Sequence, residues 1–264
     1  MVMKIAPKGL SKQKEKNFFD YMMRTKKNYD AFEDVIYDEV LKLTKIRSLP
    51  SNSIIIDMGC GAGAWGLRIA KYGYKVIGID LSYNMMKFAG NFAKKLKVDF
   101  LPICSDAEHL PFKSQSSNCI FYGLSLHHIP NIFLSLEEAS RCLKNSGKII
   151  LFEPNGSNPV RALGNNLGKL LNQIALNQFS SPAERPLSLK EVIKTLEQCG
   201  FRNIQVVPHY YVMNNEGDNK LFYVLTRSRN FFMNFAHKVL PRYVGATSFI
   251  LIAQKAFRYR HQND

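Results

Sequence analysis

The stretch formed by residues 53–66, which reads SIIIDMGCGAGAWG, constrains the fold of this 264-residue chain more than any other. Its three consecutive isoleucines lead to Asp57, and such a short β-branched run is typical of a parallel strand that is covered on both faces. Gly59, Gly61 and Gly63 permit a turn with positive φ and let a ligand approach the bare backbone. The pattern then becomes helical, so the free N–H groups of a helix N-terminus face the same space. We therefore predict a ligand site at the end of this strand.

Two kinds of ligand are compatible with this turn. Gly61, Gly63 and Gly66 match the G-x-G-x-x-G pattern of dinucleotide-binding proteins, in which a pyrophosphate lies on the helix dipole. Asp57 argues against a phosphate, because a carboxylate at the strand end would repel it. A ligand with an ammonium group and a sulfonium, such as S-adenosylmethionine, suits that carboxylate. An NAD(P)-dependent oxidoreductase is therefore the alternative, and Gly66 is interpreted as a coincidental match, merely early in the helix.

Strands and helices alternate along most of the chain. Apolar runs predict seven strands, at 53–58, 75–80, 99–103, 118–122, 148–152, 203–208 and 247–254. Helical spacing is found at 64–72, 82–96, 135–144 and 188–200, where Ser82 is placed as a cap and Ser135 and Ser188 begin capping-box patterns. Residues 145–147, Asn-Ser-Gly, are expected to end the third of these helices. The alternation predicts an α/β fold with a doubly wound, mostly parallel sheet.

The alternation defines two parts of the chain. Residues 1–50 are an N-terminal helical segment, in which residues 1–17 are polar and expected to be frayed and residues 18–43 carry apolar side chains at helical spacing. Residues 51–264 form the α/β domain, with helical insertions near 155–190 and 210–245. The first insertion has apolar side chains on one helical face between Leu163 and Ile174. Both insertions stand where a lid over a substrate would be built.

The second insertion combines aromatic and basic side chains near 220–242. The aromatic ones are Phe222, Tyr223, Phe231, Phe232 and Phe235, and the basic ones are Lys220, Arg227, Arg229, Lys238 and Arg242. An amphipathic helix of this composition can make a peripheral contact with an anionic membrane surface. It can equally cover the site as a lid or form an oligomer contact. These three interpretations stay open, as does the oligomeric state.

Composition limits the compartment and the class of protein. The net charge is +15, and its excess after residue 155 favours an anionic partner or reflects a lysine-rich proteome. The five cysteines (Cys60, Cys104, Cys119, Cys142 and Cys199) occur singly, without C-x-x-C or a nearby His. They indicate reduced thiols rather than disulfides or a zinc site. With no apolar run of 18 residues and no signal peptide, we expect a cytoplasmic protein that associates with membrane, if at all, peripherally.

Five motifs occur in a fixed order: IIIDMGCGAG, GIDLS, SDAEHLPF, LSLHHI and LKNSGKIILFEPN. In this order and spacing the chain resembles the class I S-adenosylmethionine-dependent methyltransferases, with the best match to the small-molecule subgroup that includes the quinone-biosynthesis C-methyltransferases. The resemblance covers residues 53–201, with a looser match through the final strand. It implies a Rossmann-like sheet of seven strands whose last strand is antiparallel, with S-adenosylmethionine as the cofactor.

The resemblance assigns residues to the methionine end of this cofactor. The turn of residues 57–63 should wrap the methionine moiety, with backbone groups at its carboxylate and Asp57 near its ammonium group. The residues of that turn with assigned roles are Asp57, Gly59, Cys60, Gly61 and Gly63. Ser125, after the fourth strand, should line the inner wall beside the sulfonium.

Four other residues are assigned to the adenosine end. Asp80, at the end of the second strand, should accept hydrogen bonds from both ribose hydroxyls, because a carboxylate has two acceptor oxygens that suit a diol. Leu81 should pack on the adenine. Asp106 should accept from the adenine amino group, and Ala107 should supply a backbone donor to the ring. Each aspartate is also a common helix cap or turn former.

Methyl transfer from this cofactor is an in-line displacement, so the protein mainly supplies alignment and excludes water. An oxygen or acidic-carbon nucleophile can also need a base. His127 and His128 lie just past the fourth strand, and imidazole titrates in the useful range. In the subgroup that the chain resembles, the His-His pair often only orients the loop. Glu153, after the fifth strand, is a third candidate that faces the substrate.

The class of methyl acceptor is limited mainly by the absence of sequence motifs that other methyltransferases of this fold use. Nucleic-acid N-methyltransferases of this fold usually place an Asn/Asp-Pro-Pro-aromatic motif after the fourth strand, whereas this chain has Gly-Leu-Ser-Leu-His-His at 123–128. A nucleic-acid substrate is therefore not expected. The favoured activity is O- or C-methylation of a small molecule that is hydrophobic or lipid-linked. A non-catalytic cofactor-binding protein of the same fold is the remaining alternative.

Overall fold

The computed structural model describes residues 8–25, 35–159, 185, 187–210 and 241–256, and most of them belong to a seven-stranded sheet or to helices packed on it. The strands are β1 (Ile54–Met58), β2 (Lys75–Asp80), β3 (Phe100–Cys104), β4 (Ser117–Gly123), β5 (Leu143–Pro154), β6 (Phe201–His209) and β7 (Ser248–Lys255). Their order across the sheet is β3-β2-β1-β4-β5-β7-β6. The predicted fold class and the seven predicted strands are confirmed.

The chain changes its direction of travel across the sheet at β1. Strands β2 and β3 lie on one side of β1 and strands β4 and β5 on the other, and all four of these neighbouring pairs are parallel. Strand β7 is antiparallel to both β5 and β6, as the resemblance implied. The carboxyl ends of β1, β2 and β4 therefore meet where the strand order reverses, which is the place where open α/β sheets bind ligands.

Seven α-helices are present among the described residues: α1 (Lys8–Thr25), α2 (Val35–Leu43), α3 (Ala64–Lys71), α4 (Tyr83–Leu96), α5 (Ile132–Cys142), α6 (Leu189–Gln198) and α7 (Arg242–Gly245). Two short 3-10 helices, Ile46–Ser48 and Leu126–His128, are also described. Two predicted N-caps are confirmed. The Ser82 hydroxyl accepts from the Met85 N–H at 3.2 Å, and the Ser188 hydroxyl accepts from the Glu191 N–H at 3.1 Å. Residues 8–17, which were expected to be frayed, are helical.

The start of α5 differs from its prediction. The helix begins at Ile132, and its cap is Asn131, whose side chain accepts from the Leu134 N–H at 3.2 Å. Ser135 is inside the helix, and its hydroxyl lies 2.9 Å from the Tyr122 hydroxyl in the core. The capping-box interpretation of Ser135 was therefore wrong, because a long-range partner in β4 uses the side chain that the local pattern assigned to a cap.

Strand β5 also begins earlier than predicted. Leu143 already pairs with Ser117, and the register then shifts so that Lys148 pairs with Cys119. The residues expected to end the helix therefore lie in an irregular part of the strand, where Ser146 has a φ of 60°. Such a bulge accommodates turn-forming residues inside a strand. The helix ends at Cys142 instead.

Apolar layers cover both faces of the sheet, as the isoleucine run predicted. Ile56 belongs to one buried cluster with Leu136 of α5 and Leu196 of α6. Its neighbour Ile55 belongs to a second cluster with Ile69 of α3. Because successive side chains of a strand point to opposite faces, these two clusters define the two layers of a doubly wound fold.

Several predictions fall outside the described residues. They are the helical face between Leu163 and Ile174, almost all of the basic aromatic helix near 220–242, and the larger part of both predicted insertions. Within the described part of the chain, no helix combines the length and the apolar character needed to cross a membrane.

Candidate active site

The glycine turn after β1 lies directly against the loop after β4. Gly59 has a φ of 62°, and a Cβ there would lie 2.7 Å from the Ser125 Cβ, so a side chain would collide with that loop. The Cys60 N–H donates to the Ile79 carbonyl of β2 at 2.9 Å. The turn is thus held between the ends of β2 and β4. A Cβ at Gly61 would meet no atom within 4 Å, so its backbone borders open space.

The structure explains why residue 66 is a glycine, which the sequence pattern did not. A Cβ at this position would lie 2.6 Å from Phe100 Cε2 and 2.7 Å from Asp57 Oδ2. Helix α3 can therefore approach the sheet only because this residue has no side chain. Close packing between helix and strand is also the function of the third glycine in the dinucleotide fingerprint. The match of Gly66 to the third glycine of the G-x-G-x-x-G pattern therefore has a physical reason: in this chain and in dinucleotide-binding proteins, a helix packs closely against a strand at that position.

Asp57 lies behind the glycine turn rather than on a cavity wall. Its side chain is 1% exposed, and neither carboxylate oxygen has a hydrogen-bond partner among the described residues. Burial raises the pKa of Asp57 to about 8, the nearby Gly66 N–H opposes this rise, and the charge of Asp80 adds to it. Asp57 is not part of the cavity lining, and its position near a ligand's ammonium group stays a prediction.

Asp80 ends β2 with both carboxylate oxygens directed by backbone donors. The Gly61 N–H donates to Oδ2 and the Ser82 N–H donates to Oδ1, each at 2.9 Å. Burial raises the pKa of Asp80, and these two N–H donors oppose the rise. Each oxygen of a carboxylate has two lone pairs, so each retains an acceptor site. The side chain lines the cavity described next and can accept from a vicinal diol there.

A cavity of about 260 Å³ lies at the carboxyl ends of β1, β2 and β4. Most of the predicted site residues line it: Gly59, Cys60, Gly61, Asp80, Leu81, Asp106, Ala107, Ser125 and His128. The lining does not include Asp57, Gly63, His127 or Glu153. Gly63 is the N-cap of α3, with a φ of 86°. The structure thus brings together the residues assigned to the ribose and the adenine with the exposed part of the glycine turn.

Glu153 and His127 form a buried pair behind the cavity. His127 Nδ1 lies 2.6 Å from Glu153 Oε2. Glu153 Oε1 accepts from the N–H groups of Ser125 and Leu126 at 3.0 and 2.8 Å. Neither side chain lines the cavity, so this placement does not support His127 or Glu153 as a base, and a catalytic role for either stays a prediction. Buried N–H groups need an acceptor, and Glu153 supplies it, so its function here is to set the path of the loop after β4.

Helix α1 covers the cavity, which the sequence analysis did not predict. Lys12, Glu15, Lys16 and Phe19 line it. Lys12 Nζ donates to Asp106 Oδ2 at 2.6 Å and to Glu108 Oε2 at 2.7 Å. Residues separated by three, four and seven positions share one face of a helix, but nothing in that local pattern indicates which part of the domain the face contacts.

The polar contacts of α1 continue along its length. Although partial burial favours the neutral amine, hydrogen bonds to Asp106 and Glu108 hold the pKa of Lys12 above its usual value. One turn further along, Glu15 Oε1 lies 2.9 Å from Nδ1 of His128. Beyond that, the Ser82 hydroxyl donates to Asp20 Oδ1. Helix α1 is thus joined to three of the segments that form the cavity.

Aromatic side chains form another part of the lining. Tyr37 of α2 and Trp65 of α3 both line the cavity, and their ring centroids are 4.4 Å apart. Trp65 also packs against Phe152, at 5.5 Å between centroids. Arg68 lies over the Tyr37 ring, with Cζ 3.9 Å from the centroid. The cavity therefore combines a polar region around Asp80 and Asp106 with an aromatic region. Among the described residues no group of three or more potential metal ligands is present.

Comparisons with known proteins agree with this geometry. Residues 56–151 match the family model described as a methyltransferase domain. The demethylmenaquinone methyltransferase of Lactobacillus johnsonii is 27% identical over 219 residues, which are 74% of this chain and 88% of that protein. The corresponding protein of Staphylococcus saprophyticus is 26% identical over 151 residues, which are 54% of this chain and only 64% of that protein's length.

Solved structures share the fold at low sequence identity. A SAM-dependent methyltransferase from Thermotoga maritima has a TM-score of 0.63 at 18% identity, covering 93% of this chain and 99% of that one. Phosphoethanolamine N-methyltransferase 2 from Haemonchus contortus, in complex with S-adenosyl-L-methionine, has a TM-score of 0.64 at 15% identity, covering 92% of this chain and 57% of that one.

The order of strands in the sheet distinguishes the two ligands considered for the glycine turn, a dinucleotide and S-adenosylmethionine. Dinucleotide-binding proteins of the doubly wound class use the order 3-2-1-4-5-6, whereas this chain inserts an antiparallel β7 between β5 and β6. The matched domain, the two relatives and the two solved structures given above are all named methyltransferases. The chain is therefore an S-adenosylmethionine-dependent methyltransferase, and it resembles the class I enzymes of quinone biosynthesis.

Proposed function

We propose that this enzyme methylates a carbon or oxygen atom of a small hydrophobic acceptor. The observation that carries the proposal is the aromatic region of the cavity, formed by Tyr37 and Trp65 beside the polar region. Stacking and apolar contact are the interactions that such rings offer to a planar or hydrophobic molecule. The name of the Lactobacillus johnsonii relative, a demethylmenaquinone methyltransferase, supports an acceptor of this kind.

The cavity fits S-adenosylmethionine on features of its own. Asp80 has acceptor sites left for the ribose hydroxyls after its two backbone bonds. The residues assigned to the adenine, Leu81, Asp106 and Ala107, all line the cavity, and Leu81 offers an apolar surface there. The bare backbone at Gly61 can approach the methionine moiety. When bound, the cofactor supplies an electrophilic methyl group.

The chain's own side chains then have two tasks. Phe19, Tyr37 and Trp65 exclude water and orient the acceptor, which is the main requirement of an in-line displacement. His128 lines the cavity and is placed to accept the acceptor's proton when the nucleophile is a hydroxyl or an acidic carbon. Glu153 and His127 support the loop that carries His128 and do not reach the cavity.

The N-terminal segment of residues 1–50 acts with the domain of residues 51–264, since α1 and α2 both line its cavity. The acceptor can be lipid-linked, with the basic aromatic helix near 220–242 as a lid close to an anionic membrane surface. The alternatives for that helix, a lid without membrane contact and an oligomer contact, stay predictions.

Calorimetry with S-adenosylhomocysteine and with NAD tests the cofactor assignment. We expect binding of S-adenosylhomocysteine only, weakened by about 1–3 kcal/mol in Asp80→Ala through the loss of charge-assisted hydrogen bonds. Asp99→Ala is the matched control, because Asp99 is an exposed aspartate that does not line the cavity. An unchanged dissociation constant for Asp80→Ala would disprove the ribose assignment.

The acceptor is tested by transfer of a labelled methyl group. Purified enzyme and labelled S-adenosylmethionine are incubated with quinone precursors, with a lipid extract and with phosphoethanolamine. We expect a gain of one methyl, detected by mass, in an organic-extractable product. Methylation of phosphoethanolamine alone would contradict the hydrophobic acceptor and leave the cofactor assignment intact.

A further inference from the structure

Trp65 is held against the sheet although it also lines the cavity. It lies in the first turn of α3 and is 6% exposed. The centroid of its ring lies 5.6 Å from that of Phe121 in β4 and 5.5 Å from that of Phe152 in β5. Both phenylalanines are fully buried. The indole is therefore a part of the cavity lining that also belongs to the core.

The indole lies directly on the backbone at the end of β4. A Cβ at Gly123 would lie 2.4 Å from Trp65 Cδ1 and 2.6 Å from Trp65 Nε1. A side chain at residue 123 would therefore collide with the ring. Gly123 lines the cavity as well. The absence of a side chain at this position thus lets the indole lie against β4 rather than further out in the cavity.

Other neighbours limit the movement of the indole. Tyr37 of α2 lies 4.4 Å from Trp65 between ring centroids, and Arg68 covers the Tyr37 ring with its Cζ 3.9 Å from the centroid. Close-packed side chains can move only by displacing their neighbours, which costs free energy. Of the aromatic lining residues that the structure describes, Trp65 is the buried one, whereas Phe19 and Tyr37 are partly exposed. Trp65 is therefore the most firmly fixed of them.

The position of the indole along the cavity follows from the order of the strands. Leu81 and Asp106, which are assigned to the adenine, follow β2 and β3. Trp65 instead packs on β4 and β5, which lie on the opposite side of β1. Gly123, which it contacts, stands two residues before Ser125, the residue assigned to the inner wall beside the sulfonium. The indole therefore lies at the end of the cavity away from the adenine, where the methyl group would be transferred.

We propose that Trp65 is a specificity-determining residue that limits the width of the methyl acceptor, and that Gly123 sets how far its indole reaches into the cavity. The inference rests on the proposed function, which assigns this end of the cavity to the acceptor. A fixed ring in an apolar pocket discriminates by size, and one methylene more or less in such a pocket changes the preference by about 10-fold to 200-fold. Acceptors too wide to fit beside the indole are rejected without a polar contact.

The first test asks whether a bound ring lies beside the indole. Phenol, 1-naphthol and 9-phenanthrol, which are rigid alcohols of one, two and three fused rings, are added to full-length protein saturated with S-adenosylhomocysteine. Trp65 is the only tryptophan of the chain, so labelling with 5-fluorotryptophan gives a single ¹⁹F signal. We expect the probe that binds most tightly to shift this signal, because ring currents act only at close range. Binding without a shift would overturn the proposal, and so would the failure of all three probes to bind.

The second test measures the width limit by calorimetry with the same three probes. Trp65→Ala removes the indole, so the ratio of the dissociation constants of 9-phenanthrol and phenol should shift by about 10-fold in favour of the wider probe. Trp65→Phe keeps a smaller ring and should give an intermediate ratio, and it serves where the alanine variant folds poorly. Phe133→Ala is the matched control, because it removes a ring that is 41% exposed and does not line the cavity. An equal change for all probes in both Trp65 variants would indicate a structural role only and overturn the proposal.

Gly123→Ala tests the same limit in the opposite direction. The added methyl group should push the indole toward the cavity, so the widest probe should lose the most affinity. The methyl group would also lie 2.7 Å from Phe121 Cε1, so urea unfolding is measured alongside. In the Trp65→Phe background the smaller ring leaves room for the methyl group, and part of the affinity for the widest probe should return. A loss that is equal for all probes and is not relieved by Trp65→Phe would overturn the role of Gly123.

The width limit and the proposed function fail in different experiments. An organic-extractable methylated product together with unchanged probe ratios in the Trp65 variants would overturn only the width limit. Methylation of phosphoethanolamine alone would overturn the proposed function, and the assignment of this end of the cavity to a hydrophobic acceptor with it.

Discussion

The cavity has two sides that are built in different ways. One side, here called the wall, consists of the ends of β1, β2 and β4 with the loops that follow them. Its contacts are short backbone bonds, such as the Gly61 N–H to Asp80, and buried acceptors such as Glu153. The other side, here called the cover, is the face of α1 formed by residues 12–20. Its contacts are made by long charged side chains to residues far away in sequence, such as the bond from Lys12 to Glu108, 96 positions away.

Because the two sides are held by different contacts, substitutions in the wall and in the cover should affect different properties of the protein. The wall shares its residues with the sheet, so a change there disturbs the core and the site together. The cover is joined to the domain mainly through ion pairs and one aromatic contact, which individually contribute little free energy at a partly exposed surface. We therefore expect changes in the wall to alter the free energy of unfolding and changes in the cover to alter ligand binding or turnover.

The largest effect on the wall is expected from Asp57→Asn, as a change in pH dependence. The pKa of Asp57 is raised to about 8 in the folded protein, so between its ordinary value and pH 8 the native state holds a proton that the unfolded state has lost. The stability of the wild type should therefore fall as pH rises through this window and level off above it, by about 4 kcal/mol between about pH 5 and pH 9. Asparagine cannot ionise and should remove this loss.

Urea unfolding of both proteins across that range measures the effect. Asp99→Asn, at an exposed position, is the control and should follow the wild type. Parallel stability curves for wild type and Asp57→Asn would show that the carboxyl does not hold a proton in the folded state.

Glu153→Ala should have the next largest effect. It leaves the N–H groups of Ser125 and Leu126 and the ring of His127 without their buried acceptor. We expect a loss of about 3 kcal/mol in the free energy of unfolding, measured by urea denaturation. Glu153→Gln retains an acceptor oxygen and should lose less. Equal stability of all three proteins would mean that Glu153 does not support the loop.

Gly66→Ala tests the packing of α3 against the sheet. A methyl group there would meet Phe100 and Asp57 at under 3 Å. We expect a loss of about 1–3 kcal/mol in the free energy of unfolding, because a packed core accommodates an added carbon only by shifting its neighbours. Ala64→Gly, in the first turn of the same helix, is a control for helix propensity alone. A loss no larger than that of the control would show that α3 moves freely away from β1.

The sequence predicted the structure of the wall better than that of the cover, for reasons that particular residues illustrate. Asp80 and the Ser82 cap were predictable because a strand end and a cap are local patterns. The side of the sheet on which the Glu153 side chain lies was not predictable, because a shift of one residue moves a strand side chain from one face to the other. Ser135 matched a cap but was used by Tyr122. The placement of α1 over the cavity depends on contacts across 94 residues, which no local pattern contains.

The smallest effect, and the one that most sharpens the comparison, is expected from Lys12→Met in the cover. Lys12 Nζ donates a hydrogen bond to Asp106 Oδ2, and the other oxygen of Asp106 accepts one from the Glu108 N–H. In the proposed assignment the adenine amino group donates to this same carboxylate, and the positive charge of the Lys12 ammonium makes the carboxylate a weaker acceptor for it. Removing the amine should tighten S-adenosylhomocysteine binding by about 1 kcal/mol, the scale of a partly exposed ion pair.

Calorimetry at low and high salt measures this effect. Screening weakens exposed ion pairs, so added salt should narrow the difference between wild type and Lys12→Met. Lys14→Met, at an exposed position of the same helix, should bind as the wild type does. Weaker binding by Lys12→Met would mean that the amine assists the binding of the cofactor rather than opposing it. The cover would then belong to the binding site in the same sense as the wall, and the two sides of the cavity would differ only in how they are held.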